Sequence, residues 1–146
     1  MAADFTTTIL VDSSTQEAFN AINNVRGWWQ GEITGSTDKL GDEFEYRMKD
    51  IHYSKQKVTE LIPNKKVVWL VTDSNLSAFT DKAEWTGTKI IFEITEVKGK
   101  TQVRFTHIGL VPKFECYGDC SWAWGQLVQE SLSSLITTGK GKNVFG

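Results

Sequence analysis

The chain has 146 residues, with 16 Lys and Arg against 18 Asp and Glu, a formal net charge of −2, and 40% apolar residues. This length suits one domain, residues 1–146, that buries its own core. The near-neutral charge gives no basis for binding nucleic acid or an anionic membrane. The N-terminus lacks a signal-peptide pattern and no apolar run approaches the ~20 residues of a membrane span, so we expect a cytoplasmic protein.

The first part of the chain predicts one strand and two short helices. Apolar residues alternate with polar ones over residues 5–11, which indicates a strand with one buried face. Ser14 and Glu17 have the spacing of a capping box and therefore mark the start of a helix of about ten residues. A second, shorter helical turn carries the pair Trp28-Trp29.

The middle of the chain predicts a series of antiparallel strands. Phe44, Tyr46 and Met48 alternate with charged residues, as expected of a half-buried strand. The same reasoning predicts strands near Ile33 and over residues 51–62, 67–71, 87–97 and 101–108, and an irregular loop over 74–84. Short connections of this kind favour an antiparallel sheet.

A long amphipathic helix is predicted from about Pro112 to Thr138, followed by Gly139 at the position of a left-handed cap. At 100° per residue its inner face comprises Cys116, Tyr117, Cys120, Trp124, Leu127, Val128, Ser131 and Leu135, and Trp122 lies outside this face. The predicted architecture is therefore α+β. A curved antiparallel sheet of about seven strands wraps around the C-terminal helix, and two short helices follow the first strand.

Several stretches occur in the order and spacing of one known family. They are Thr6–Val11 (TTTILV), Trp28-Trp29, Lys39–Asp42 (KLGD), Val58–Pro63 (VTELIP), Glu84–Thr88 (EWTGT), Val103–His107 (VRFTH), and Trp124, which here follows Ala123 rather than the usual glycine. Together they resemble the branch of the Bet v 1-like or START-like (SRPBCC) superfamily named after the C-terminal domain of the activator of Hsp90 ATPase. The resemblance spans nearly the whole chain and implies a helix-grip fold with an internal cavity. The eukaryotic co-chaperone adds a separate N-terminal domain, for which the residues before Phe5 offer no counterpart, so Hsp90 activation is not expected from the resemblance alone.

The candidate functional residues are those expected to line this cavity. They are Trp28, Tyr46, Trp69, Trp85, His107, Cys120, Trp124 and Val128. The turn that carries Trp28-Trp29 is a candidate cover for the cavity mouth. His107 shares strand parity with inward-facing neighbours, and a buried, hydrogen-bonded histidine is favoured over a general acid–base catalyst because no orienting partner can be placed. Cys116 and Cys120 with His107 lack a fourth ligand, so no metal site is predicted. Glu84 is interpreted as a carboxylate at a sheet edge or helix contact.

No phosphate-binding glycine loop, paired-histidine motif or nucleophile elbow occurs, so we predict no cofactor and no catalytic residue. The leading hypothesis is binding of a small, largely apolar or aromatic molecule between the sheet and the terminal helix. One alternative is an enzyme resembling polyketide cyclases and dehydrases that uses the same cavity. The other is an Hsp90-type co-chaperone or protein-interaction module, in which exposed Trp122 marks a homodimer or chaperone contact.

Overall fold

A computed structural model describes residues 4–29, 31–48, 52–75, 85–111 and 117–142. Its strands are β1 Phe5–Val11, β2 Glu32–Gly35, β3 Glu43–Met48, β4 His52–Ile62, β5 Lys66–Asn75, β6 Lys89–Val97 and β7 Lys100–Ile108. Its helices are α1 Thr15–Asn23, α2 Val25–Trp28, α3 Tyr117–Gln126 and α4 Ser133–Thr138, with a π-helical segment, Leu127–Leu132, between the last two. This order confirms the predicted succession of elements. Glu84, Cys116 and most of the predicted 74–84 loop lie outside the described residues.

The described strands form one antiparallel sheet in the order β1-β7-β6-β5-β4-β3-β2. Tight turns join β4 to β5 and β6 to β7. Between β6 and β7, Lys98 and Gly99 both have positive φ angles, of 52° and 82°, as a type I′ hairpin turn requires. β4 carries an irregularity between Val58 and Glu60 in its pairing with β5. Such a bulge increases the local twist and so helps the sheet to curl.

One face of the sheet is buried, as the alternation of residues predicts. On β3, Phe44 and Tyr46 are buried between more exposed neighbours. On β7, Val103, Phe105 and His107 have no exposed surface at all, while the residues between them retain some. The predicted inward orientation of His107 is therefore confirmed.

The first helix begins where the capping box predicts. The Ser14 side chain accepts a hydrogen bond from the Glu17 backbone N–H, and the Glu17 carboxylate accepts one from the Ser14 N–H, both at 3.1 Å. Two N–H groups that have no partner within the helix are satisfied in this way. The start of α1 is thus determined by its own sequence.

The C-terminal helix runs against the buried face of the sheet but departs from regular α-geometry over its π-helical segment. Leu127 is buried as predicted. Leu135 packs against the core but is only half-buried, whereas Leu132 and Ile136, outside the predicted inner face, are buried. A π-helix turns through a smaller angle per residue than an α-helix, so positions after it shift around the axis. Gly139 ends the helix with φ 86°, as predicted. No helix within the described ranges is long and apolar enough to cross a membrane.

Side chains from the helices cover backbone groups at both outer edges of the sheet. Arg26 Nη2 donates to the carbonyl oxygens of Ile33 at 3.2 Å and Gly35 at 2.7 Å on β2. Gln129 Nε2 donates to the Thr8 carbonyl oxygen at 3.0 Å on β1. Unpaired edge carbonyls invite pairing with another chain, so these two side chains protect the sheet edges.

Candidate ligand-binding site

Five aromatic side chains form a closed circuit at the end of the interior where β3 ends and β4 begins. We call Trp29, Tyr46, His52, Trp85 and Trp124 the aromatic cluster. Successive ring centroids are 4.6 Å apart for Trp29 and Tyr46, 5.3 Å for Tyr46 and His52, and 4.8 Å for His52 and Trp85. Trp85 stacks on Trp124 at 5.7 Å, and Trp124 returns to Trp29 at 5.4 Å. The cluster therefore draws on the sheet, the terminal helix and two loops.

Local structure explains how the members reach this position. Tyr46 points inward by strand alternation, and Trp124 by its place on α3. Trp85 begins a turn in which the Thr88 N–H donates to the Trp85 carbonyl oxygen at 3.0 Å. Trp29 follows α2 with extended backbone, and its ring still contacts that of Trp28 edge-on, with centroids 5.8 Å apart.

His107 lies behind the cluster, and both of its ring nitrogens are hydrogen-bonded. Trp124 Nε1 is 3.1 Å from His107 Nδ1, and since an indole N–H can only donate, Nδ1 accepts. The ring proton must then be on Nε2, which lies 2.8 Å from the Thr88 hydroxyl oxygen. That hydroxyl in turn donates to the Trp85 carbonyl oxygen at 2.5 Å. The network therefore fixes one neutral tautomer of His107 and connects Trp85 to Trp124.

The electrostatics of His107 agree with this tautomer. Burial lowers its pKa to about 3, and the nearby His52 adds a smaller effect in the same direction. A general base would have to give up one of its two hydrogen bonds before accepting a proton from a substrate. The geometry thus favours the interpretation of His107 as a buried, hydrogen-bonded residue. No group of three or more potential metal-ligating side chains occurs among the described residues.

A second polar branch reaches the cluster from β4. His52 Nε2 lies 3.2 Å from Ser54 Oγ, which also accepts a hydrogen bond from Gln56 Nε2 at 2.6 Å. Burial lowers the pKa of His52 to about 4 and raises the pKa of Tyr46. Both side chains are therefore neutral at physiological pH, and the aromatic cluster carries no charge of its own.

Four buried polar atoms at or beside the cluster have no hydrogen-bond partner among the described residues. They are Nε1 of Trp29, Trp69 and Trp85, and Oε1 of Gln56. Leaving such a group unpaired costs about 1–3 kcal/mol, and native proteins do so rarely. Perpendicular neighbours, such as Tyr46 at 81° to Trp29, offer π faces to these N–H groups, but these are weak acceptors. The site therefore holds unused hydrogen-bonding capacity within apolar walls.

The structure brings some of the predicted site residues together and separates others. Tyr46, Trp85 and Trp124 belong to the cluster, and His107 supports it. Trp69 lies one layer deeper, 5.8 Å from Trp29, and has no exposed surface. Trp28 contacts Trp29 edge-on at 5.8 Å but lies outside the circuit, and its Nε1 donates to the Ile22 carbonyl oxygen at 3.3 Å. Cys120 and Val128 are buried on the C-terminal helix.

Sequence reasoning missed His52 as a member of the cluster, and it placed Trp29 at the cavity mouth without including it among the lining residues. The period-two run His52, Ser54, Gln56, Val58 places His52 on the buried side of β4, and this signal could have found it. The alternation was not recognised because Ser54 and Gln56 are polar, and polar residues usually face solvent. For Trp29 the sequence holds no comparable signal, since its direction depends on the backbone after α2.

The fold is that of a helix-grip α+β protein of the Bet v 1-like, or SRPBCC, class. Its features are a curved antiparallel sheet, a long C-terminal helix against the buried face of that sheet, and two short helices after β1. Residues 17–137 match the family model described as Activator of Hsp90 ATPase homolog 1-like protein. The chain belongs to this family, which confirms the resemblance seen in the sequence.

Solved structures agree with this assignment. The solution structure of the Aha1 dimer from Colwellia psychrerythraea superimposes with a TM-score of 0.76 and 27% identity, covering 95% of this chain and 99% of that one. DynU16, from the dynemicin biosynthetic locus, has a TM-score of 0.65 and 14% identity over 93% of this chain and 48% of its own. CalU16 from Micromonospora echinospora has a TM-score of 0.63 and 10% identity over 94% and 77%. The last two show the fold alone. The search of curated proteins found no match.

Proposed function

We propose that the protein reversibly binds a small, largely apolar or aromatic molecule at the aromatic cluster. The observation that carries this proposal is the set of unpaired indole N–H groups within apolar walls. A flat apolar ligand would cover the ring faces, and an acceptor atom on it would take up an N–H that now lacks a partner. Ligand sites commonly combine hydrophobic and aromatic walls with a few polar groups that set orientation. The proposal requires neither metal nor nucleotide.

Binding requires part of the cluster to move, because its members now contact one another. Neither Trp29 nor Trp85 lies in a strand or helix: Trp29 directly follows α2, and Trp85 begins a turn. Such segments open at lower free energy than the sheet. Both side chains also retain slight exposure, 6% and 4%, whereas Trp69 beneath them has none. We therefore place the entry route between Trp29 and Trp85.

The test is a tryptophan-fluorescence titration with fatty acids, sterols, flavonoids and polyketide-like aromatics. We expect saturable emission changes with at least one class. Trp85→Phe removes an N–H donor but keeps an aromatic ring, and should weaken binding several-fold if a hydrogen bond of about 1 kcal/mol is lost. Trp122→Phe, at an exposed position on α3, is the matched control and should leave the Kd unchanged. If no compound of the panel shows saturable binding, the proposed function is wrong.

Geometry supports binding better than the polyketide cyclase or dehydrase alternative, because both nitrogens of His107 are already engaged. Turnover of a bound compound that is lost in His107→Ala would reverse this preference.

A second candidate function is contact with another protein, either a second copy of this chain or an Hsp90-type chaperone in the cytoplasm. Family membership and the dimeric Colwellia protein support it. Trp122, 58% exposed on α3, is the surface residue that we assign to such a contact. Sedimentation velocity over a range of concentrations should show self-association that Trp122→Ser weakens. A monomer at all concentrations that does not bind an Hsp90-type chaperone would contradict this function.

A further inference from the structure

A polar groove separate from the aromatic cluster lies between α1 and the loop that follows β2. Its volume is about 610 Å³, within the range of small-molecule sites. One wall is the second half of α1 together with Arg26, and the other is formed by residues 35–38. None of its lining residues belongs to the cluster.

Hydrogen bonds hold the two walls of the groove in place. The Thr37 hydroxyl donates to the Asn23 carbonyl oxygen at 2.6 Å and is buried with it. Arg26 reaches across to the Gly35 carbonyl oxygen at 2.7 Å. Gly35 has φ 102°, and a Cβ at this position would collide with the Glu43 carbonyl oxygen, so the loop follows a path that only glycine allows. The groove is therefore preorganised, which reduces the entropic cost of binding.

Asn23 supplies an unused acceptor in this groove. Its Nδ2 donates to the Phe19 carbonyl oxygen at 3.0 Å, and because a carbonyl only accepts, the orientation of the amide is determined. Oδ1 then has no partner among the described residues, although Asn23 is only 6% exposed. Because Oδ1 itself has almost no accessible surface, the Asn23 side chain must turn toward the groove before an N–H donor of a ligand can satisfy it.

The groove also presents two opposite charges that do not pair. Arg26 and Asp38 both line it, yet neither takes part in an ion pair within the described residues. Arg26 uses Nη2 for the β2 carbonyls, and its Nη1 and Nε donors have no partner in the part of the chain that the structure describes. A net-neutral groove with a separate cation and anion is complementary to a ligand that carries both charges.

We propose that this groove binds a small zwitterion of the α-amino acid type. The ligand carboxylate lies against the Arg26 guanidinium, and its ammonium group donates to the Asp38 carboxylate and to Asn23 Oδ1. Charge-assisted hydrogen bonds of this kind are the strong ones. Phe19, half-buried in the groove wall, gives an apolar side chain of the ligand a surface to cover.

The experiment is a ¹H–¹⁵N correlation titration of the whole protein with phenylalanine, N-acetylphenylalanine and phenylalanine methyl ester. Phenylalanine should cause saturable shifts at residues 19–26 and 35–38. Each derivative lacks one charge and should bind at least about tenfold more weakly. Equal binding of all three compounds, shifts confined to the indole signals of the aromatic cluster, or no saturable shift at millimolar concentration would each overturn the proposal.

A matched pair of variants separates the groove from general electrostatics. Asp38→Asn keeps the shape of the side chain and should weaken phenylalanine binding about tenfold. Asp12→Asn removes an exposed carboxylate that pairs with Lys100 at 3.8 Å, away from the groove, and should bind as the wild type does. Equal weakening in both variants would contradict the assigned role of Asp38. The compounds used to test the aromatic cluster include no zwitterion, so the two experiments can refute the proposal for one site without refuting the other.

Discussion

Mild acidification should destabilise the protein through His107, because the folded state keeps this ring neutral. Burial lowers the pKa of His107 to about 3, whereas a histidine in an unfolded chain titrates near 6.5. Below pH 6.5 the unfolded state therefore binds a proton that the folded state does not. The stabilisation is fully present above pH 6.5 and is lost progressively as the pH falls toward the folded-state pKa.

The size of the effect follows from proton linkage. Between pH 7.0 and 5.5, one histidine that stays neutral when folded lowers the free energy of unfolding by about 1.3 kcal/mol. His52, with a pKa of about 4, acts in the same direction, but it is only half-buried and solvent screening reduces its share. The wild type should thus lose about 1.3–2.6 kcal/mol over this window, which lies above the titration of ordinary carboxyl groups.

Urea unfolding at pH 7.0 and 5.5, followed by tryptophan fluorescence, measures this loss. His107→Gln should be less stable at pH 7.0, because Trp124 and Thr88 lose their partner, yet its pH-dependent loss should shrink by about 1.3 kcal/mol. His52→Gln is the matched control and should reduce the loss by a smaller amount. If His107→Gln shows the same loss as the wild type, the network does not hold His107 neutral and the reasoning is refuted.

Two further predictions concern packing and backbone. Leu132→Ala should lower the free energy of unfolding in urea by about 2–5 kcal/mol, and half-buried Leu135→Ala by clearly less; equal costs would contradict the shift that the π-helical segment causes. Gly35→Ala should lower the Tm more than Gly87→Ala. At both positions φ is positive, 102° and 88°, so an alanine would be strained by about 1 kcal/mol. Only at Gly35 would its methyl group also collide with a backbone atom, the Glu43 carbonyl oxygen. Equal Tm values would argue against this collision.

Elements with a local physical cause were predicted correctly from the sequence. The capping box of Ser14 and Glu17 begins α1 because both hydrogen bonds join residues three apart. The parity of β7 turns His107 inward because successive side chains in a strand alternate. Gly139 ends the helix because glycine adopts a left-handed conformation without a steric penalty.

The inner face of the terminal helix could be predicted only up to the π-helical segment. Leu127 follows the regular 100° period, and its burial agrees with it. Beyond it, Leu132 and Ile136 are more deeply buried than Leu135, because the π-helical segment shifts the period by part of a turn. Nothing in residues 127–132 taken alone distinguishes this geometry from a continuous α-helix.

In the aromatic cluster, too, the sequence determined some features and the tertiary structure decided the others. The sequence by itself determined that Tyr46 and Trp124 face inward, since each belongs to a periodic element. Trp85 was also expected at the cavity wall, and the period-two run on β4 places His52 on the buried side. Only the tertiary structure joins these two residues and Trp29 to Tyr46 and Trp124 in one circuit, because loop closure and strand pairing bring them together across almost a hundred residues of chain. It also decided the hydrogen bonds of His107 and the unpaired indole N–H groups, because a donor finds or lacks its acceptor only when distant segments pack.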